Sequence, residues 1–116
     1  RAMNIPLMRT KADGENLTEA LNAQAKNATD FLKAIAHEGR LMILCHLVDG
    51  EKSVTSLETL LDLRQAAVSQ QLSRLRLEGL VTSRREGKTI YYALADARVV
   101  GMISALHSMF CADNPA

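Results

Sequence analysis

The sequence predicts a mainly α-helical fold with a small β-hairpin: a winged helix-turn-helix of about five helices and a two-stranded wing. Three observations carry that reading. Apolar residues recur at helical spacing over most of the chain. The period shifts to two near residue 80, where LVTSRREGKTIYYAL reads as strand, turn and strand. Helical spacing then returns. The core must be aliphatic, because Phe31, Tyr91, Tyr92 and Phe110 are the only aromatic residues.

Residues 1–14 have no periodicity, contain Pro6 and Gly14, and read as a mobile N-terminal arm; Arg1 and Ala2, ahead of Met3, read as a cloning remnant. The domain is expected over 15–112, with 113–116 a frayed tail. A first helix begins at Leu17, repeats at Leu21, Ala25, Ala28, Leu32 and Ile35, and runs to about Ala36. A second covers 38–48, with Leu41, Leu44, Cys45 and Val48 on one face and Asp49-Gly50 as its stop. Ser53 is the N-cap candidate for a short third helix ending near Leu61. The next helix, QAAVSQQLSRLRLE at 65–78, has Val68, Leu72 and Leu75 on one stripe and Gly79 as its C-terminal cap. Strands Val81–Arg85 and Thr89–Leu94 flank the hairpin loop Glu86-Gly87-Lys88. A last helix starts near Asp96 and runs to about Cys111, with Val99, Met102, Ile103, Leu106 and Phe110 as its main stripe.

Net charge is only +1, but its distribution is uneven. Between Arg64 and Tyr92 stand Arg64, Arg74, Arg76, Arg84, Arg85 and Lys88, opposed there by Glu78 and Glu86 alone, while acidic residues outnumber basic ones elsewhere. One basic end suggests a polyanionic partner. With Val68, Leu72 and Leu75 inward, Ser69, Gln70, Ser73 and Arg74 face outward or to the flanks. These amides, hydroxyls and guanidinium suit base edges and phosphates in a major groove. Gln65, Ala66 and Ala67 let the helix N-terminus approach a duplex closely, where its free N–H groups can take a phosphate. Arg84, Arg85 and Lys88 make a basic wing suited to backbone or minor-groove contact. The order of these features along the chain points to duplex DNA.

The segments GRLMILCHLVDGEKSV and AVSQQLSRLRLEGLVTSRREGKTIYYAL closely resemble the ArsR/SmtB family of bacterial repressors over about residues 17–112. The resemblance implies a homodimer built on the first and last helices, bound to an inverted-repeat operator and released by an inducer. It carries DNA contacts to Gln65, Ala66, Ser69 and Gln70, and a wing at 84–88. Glu38 departs from the family, where many relatives have proline; this should change only how the second helix starts.

Two metal sites of the family cannot be assembled. The third helix, SVTSLETLL, lacks the cysteines of the metal-thiolate members, and Asp96-Ala97-Arg98 lacks the histidine of the zinc members. His107 and Cys111, at i and i+4, could hold a soft metal only with a further ligand such as Cys45. No metal and no cofactor is therefore expected. His37 and His46 are expected at helix ends or on the surface. Cys45, on the apolar stripe, has an ordinary reading as a small core residue. Cys111 lies off the main stripe with Val100, Ser104 and His107, where solvent can reach it. The resemblance extends to a branch of the family that senses sulfide and reactive sulfur through one cysteine in each of these two helices. It implies that persulfide donors act as a covalent inducer and join Cys45 to Cys111 through added sulfur; metal and peroxide sensing are the alternatives.

No apolar stretch approaches the ~20 residues of a membrane span, no secretory signal is visible, and two cysteines do not make a secreted disulfide framework, so the cytoplasm is the expected location. A protein-docking module of the same fold would favour an acidic wing, and the wing is basic. An enzyme would need a nucleophile with a base and an oxyanion device; His107 with Cys111 supplies at most the first two, so no catalysis is expected.

Overall fold

The computed structural model describes residues 16–111; the expected arm at 1–14 and tail at 113–116 lie outside the described residues. Its elements are α1 (Leu17–Ala23), α2 (Ala25–Ile35), α3 (Glu38–Leu47), β1 (Lys52–Ser53), α4 (Val54–Leu61), α5 (Gln65–Leu77), β2 (Val81–Glu86), β3 (Thr89–Leu94) and α6 (Ala97–Phe110). The chain divides into two compact units, Arg1–Lys33 and Ala34–Ala116.

In the first unit, Asn16 caps α1 by accepting from the Glu19 N–H at 2.7 Å. The single helix expected over 17–36 is two helices, broken at Gln24 with φ −111° and ψ 9°. The Gln24 N–H closes a tight turn on the Leu21 carbonyl, and its own carbonyl accepts from Ala28. The Asn27 amide also donates to Gln24 Oε1 at 3.0 Å, so Gln24 closes one helix and opens the next. A break of one residue leaves the apolar stripe nearly in phase, which is why periodicity could not show it. Leu17 and Leu21 of α1 are exposed.

In the second unit, α5 packs against α3, α4 and β2, and α3 also meets α4 and β3. The core is aliphatic, as its composition required; Ile43, Leu44, Leu57, Val68, Leu72, Leu75 and Val99 have no accessible surface. The buried face of α3 is Ile43, Leu44 and Leu47, not Leu41, Leu44, Cys45 and Val48. Enclosure by α4, α5 and β3 turns the helix so that Cys45 is half-buried at the margin and Val48 is exposed. In α6, Val99 alone of the expected stripe is buried, and Phe110 is 80% exposed.

The wing belongs to a three-stranded antiparallel sheet of order β1-β3-β2. The added strand pairs Lys52 with Tyr92 and Ser53 with Tyr91. Ser53 also accepts from the Ser56 N–H at 3.0 Å as the α4 cap, so the strand runs directly into a helix and is too short to leave an alternating pattern. The hairpin is one pair longer than expected: Glu86 faces Thr89, which leaves Gly87-Lys88 as the loop, with Gly87 at φ 66°.

Gly79 ends α5 as expected. Its φ is 79°, its N–H bonds to Arg76 and the Leu80 N–H bonds to the Leu75 carbonyl, which is the Schellman arrangement. Gly79→Ala should lower stability by about 1 kcal/mol, because a Cβ strains the left-handed conformation. Gly79→Asn should lower it less, because asparagine tolerates that region. Urea unfolding of the three proteins checks the ranking; equal losses would mean that conformation is not what glycine supplies.

Candidate DNA-reading face and thiol pair

The turn between α4 and α5 sets the angle of the reading helix. Asp62 adopts φ 55°, and the N–H groups of Asp62 and Leu63 bond back to Thr59 and Glu58, which closes α4 in three residues. Val68, Leu72 and Leu75 then seal the inner side of α5. Gln65, Ala66, Gln70 and Arg74 are exposed and Ser69 is half-buried, so the five form one outward surface. Arg64 precedes the helix without giving it a side-chain cap, which leaves first-turn donors available to an anion. Arg74 is held by Glu78 at 3.2 Å, one helical turn along.

The wing lies beside this surface. Val54, Thr55, Gln65, Lys88, Thr89 and Ile90 line one polar cleft between the start of α4, the start of α5 and the hairpin tip. Lys88 is therefore beside the reading helix. Arg85 faces Ile90 directly across the ladder, and so shares its side of the sheet. Arg84 points to the opposite side. There it bonds to Glu51 at 2.6 and 3.0 Å and to Glu86 at 2.7 Å, with its guanidinium 4.6 Å from the centre of the Tyr91 ring. Hydrogen bonding to Arg84 holds the Glu51 carboxyl below its usual range. Glu51 carries no local signal in the sequence, since it stands 33 residues from its partner.

Two cysteines stand on the other side of the chemistry. Cys45 on α3 is half-buried, Cys111 at the end of α6 is exposed, and both are free thiols. Burial pushes the Cys45 thiol up, and the negative charge of a Cys111 thiolate adds to the shift. His37 caps α3: its Nδ1 accepts from the N–H groups of Gly39 at 3.0 Å and Arg40 at 3.4 Å, and its Nε2 lies 3.5 Å from the Gln71 amide on α5. Among the described residues, no three His, Cys, Asp or Glu side chains gather where a metal could sit, and no helix is long and apolar enough to cross a membrane.

A helix with a sealed inner side and a polar outer side, beside a basic hairpin, defines a winged-helix DNA-binding regulator. Residues 37–83 match the model of the bacterial regulatory proteins of the arsR family. The chain is 44% identical over 107 residues to a biofilm growth-associated repressor of Agrobacterium fabrum, covering 92% of each chain. It is 46% identical over 99 residues to the transcriptional activator HlyU of Vibrio cholerae, covering 85% of this chain and 91% of that one. The crystal structure of the transcriptional repressor BigR from Xylella fastidiosa superposes with a TM-score of 0.80 at 40% identity, over 83% of this chain and 98% of that one. A homodimeric winged helix-turn-helix DNA-binding domain from Mycobacterium bovis follows at 0.66 and 30%, over 84% and 89%. The chain belongs to the ArsR family of transcriptional regulators. Its relatives are regulators, not enzymes.

Gln70→Ala should cost on the order of 1–3 kcal/mol on the specific site and little on random duplex, while Arg85→Ala and Lys88→Ala should weaken both alike. Fluorescence anisotropy on the two duplexes separates them; equal losses for Gln70→Ala would remove it from the base-reading set.

Proposed function

We propose that this regulator is a repressor that binds an inverted-repeat operator as a homodimer, and lets go when reactive sulfur joins Cys45 to Cys111. The placement of two free thiols, one half-buried on α3 and one exposed at the end of α6, supports the reading. In the DNA-bound state Gln65, Ala66, Ser69 and Gln70 face the major groove, Arg74 flanks them, and the wing meets the backbone. The protein works in the cytoplasm, where its DNA is. Dimerisation has its own support. Val100, Met109 and Phe110 of α6 are exposed, as are Leu17 and Leu21 of α1, and exposed apolar side chains repeated along one helix favour a covering partner. The Mycobacterium bovis relative is homodimeric.

The chemistry needs no outside oxidant beyond the sulfur donor. The accessible Cys111 thiolate attacks the outer, sulfane sulfur of a persulfide RSSH and expels RS⁻, leaving a persulfide on Cys111. Cys45 is converted in the same way. The Cys45 persulfide anion then attacks the sulfur bonded to the Cys111 carbon and expels hydrosulfide, leaving a three-sulfur bridge. The protein thiols are oxidised and the donated sulfane sulfur is reduced. Such a bridge spans up to ~2 Å more than a disulfide, which itself needs Cα atoms within about 7 Å. Fixing α6 to α3 acts on the dimer-forming helix and on a neighbour of α5. It thereby changes the separation of the two reading helices, which must match one DNA turn of ~34 Å.

A persulfide donor should give an intramolecular cross-link heavier than the peroxide product, and peroxide should act more slowly. Cys45→Ser and Cys111→Ser should each bind operator and no longer release it. In Cys111→Ser, Cys45 should react faster as pH rises, with a midpoint above that of an ordinary cysteine. Intact mass and operator binding on the same samples decide: a normal response from either serine variant, or equal product masses, would return Cys45 to a packing role.

Zinc at stoichiometric amounts should leave operator binding unchanged. Tight binding with operator release would instead make His107 and Cys111 ligands.

A further inference from the structure

The structure assigns Arg84 and Glu51 a positioning role: together they tether the wing at its working angle, and the phosphate contacts of the hairpin fall to Arg85 and Lys88. This assignment rests on the DNA-binding reading and deepens it. Strand alternation is the first argument. Neighbouring residues of a strand point to opposite faces, so Arg84 and Arg85 cannot share a side. The cleft beside the reading helix takes in Ile90, which pairs with Arg85, and Thr89 at the tip, which pairs with Glu86, whereas Tyr91, the partner of Arg84, is not among its lining residues. Arg84 pairs with Tyr91 on the other face, in the same row as Ser53 of β1.

Engagement of the guanidinium, with three of its five N–H donors taken by carboxylates, is the second argument and supports the same assignment. Its Nε and Nη2 form a two-pronged bond with the Glu51 carboxylate, its Nη1 donates to Glu86, and its plane stands over Tyr91. A phosphate would have to displace two carboxylates to reach it. By contrast, Arg85 and Lys88 have no ion-pair partner among the described residues. An isolated exposed ion pair holds little, but a bidentate arginine shared between two carboxylates and a ring is the geometry in which such contacts count.

The position of Glu51 is the third argument. It stands between the end of α3 and β1, next to Lys52. The pair therefore joins the α3 exit to the middle of β2, across a sheet in which β1 contributes only two residues. The hairpin tip, with its two-residue loop, has no other side-chain tie to α3 or β1 among the described residues.

The two roles for Arg84 predict opposite signs. If Arg84 were a phosphate contact restrained by Glu51, Glu51→Gln would remove a negative charge near DNA and tighten binding. As a tether, Glu51→Gln loosens the wing and weakens operator binding by roughly three- to tenfold, as does Arg84→Ala. Salt dependence gives the independent readout, since each lost phosphate contact lowers the log–log slope by about 1. Arg84→Ala should keep the wild-type slope; Arg85→Ala and Lys88→Ala should each lower it. The exchanged pair Glu51→Arg with Arg84→Glu should recover much of the affinity. Amide hydrogen exchange of the DNA-free protein tests the tether apart from the DNA-binding reading: residues 84–90 should exchange faster in both Glu51→Gln and Arg84→Ala. Tighter binding by Glu51→Gln, a lowered slope for Arg84→Ala, or unchanged wing exchange would overturn the assignment. Wild-type protein that ignored operator and random duplex alike would overturn the DNA-binding reading, while the exchange result would still decide the tether.

Discussion

Burial of Val68, Leu72 and Leu75 is the constraint from which the rest follows. All three have no accessible surface, so the rotation of α5 about its axis is set by the core and not by its polar residues. Losing that burial would cost several kcal/mol per side chain, far more than any exposed ion pair could supply. Once the inner side is sealed, Gln65, Ala66, Gln70 and Arg74 have nowhere to go but outward. The Schellman closures at Asp62 and Gly79 fix where the helix begins and ends. The DNA-reading surface is thus a by-product of packing. Its side chains contribute little to holding it in place.

The reading helix was legible in the sequence because its stripe, its breaker and its polar side all lie within fifteen residues of one another. The wing was legible as strand, turn and strand for the same reason. Its electrostatics were not. Counting charges by segment put Arg84 with Arg85 and Lys88 as one basic cluster; alternation sends Arg84 to the other face, where Glu51 neutralises it from 33 residues away. The strand β1 escaped because two residues leave no periodic trace, and Ser53 already had a role as a cap. The break at Gln24 escaped because a single non-helical residue leaves the apolar stripe nearly in phase.

The thiols show a similar division. Their placement on the second and last of the expected helices could be read directly. The burial of Cys45 could not, because it depends on how three neighbouring elements enclose α3. That enclosure moves Cys45 from the core stripe to its edge, where burial pushes its thiol up while part of the side chain stays accessible. His37 adds a physical link between the two halves of the account. It caps the helix that carries Cys45 and reaches Gln71 on the helix that reads DNA. Glu51 adds another, from the exit of that same helix to the wing. A change in α3 therefore has two routes of contact to the DNA-binding elements.

The central claim is that one covalent event at α3 and α6 governs the fit of α5 to DNA. It is tested most directly by following operator affinity in a single wild-type sample through a full cycle: reduced, treated with persulfide donor, then reduced again with excess dithiol, with the intact mass read at each stage. The account predicts tight binding, loss of binding as the bridged mass appears, and full recovery as the bridge is removed. Undiminished operator affinity in a sample whose mass shows a complete Cys45–Cys111 bridge would contradict it.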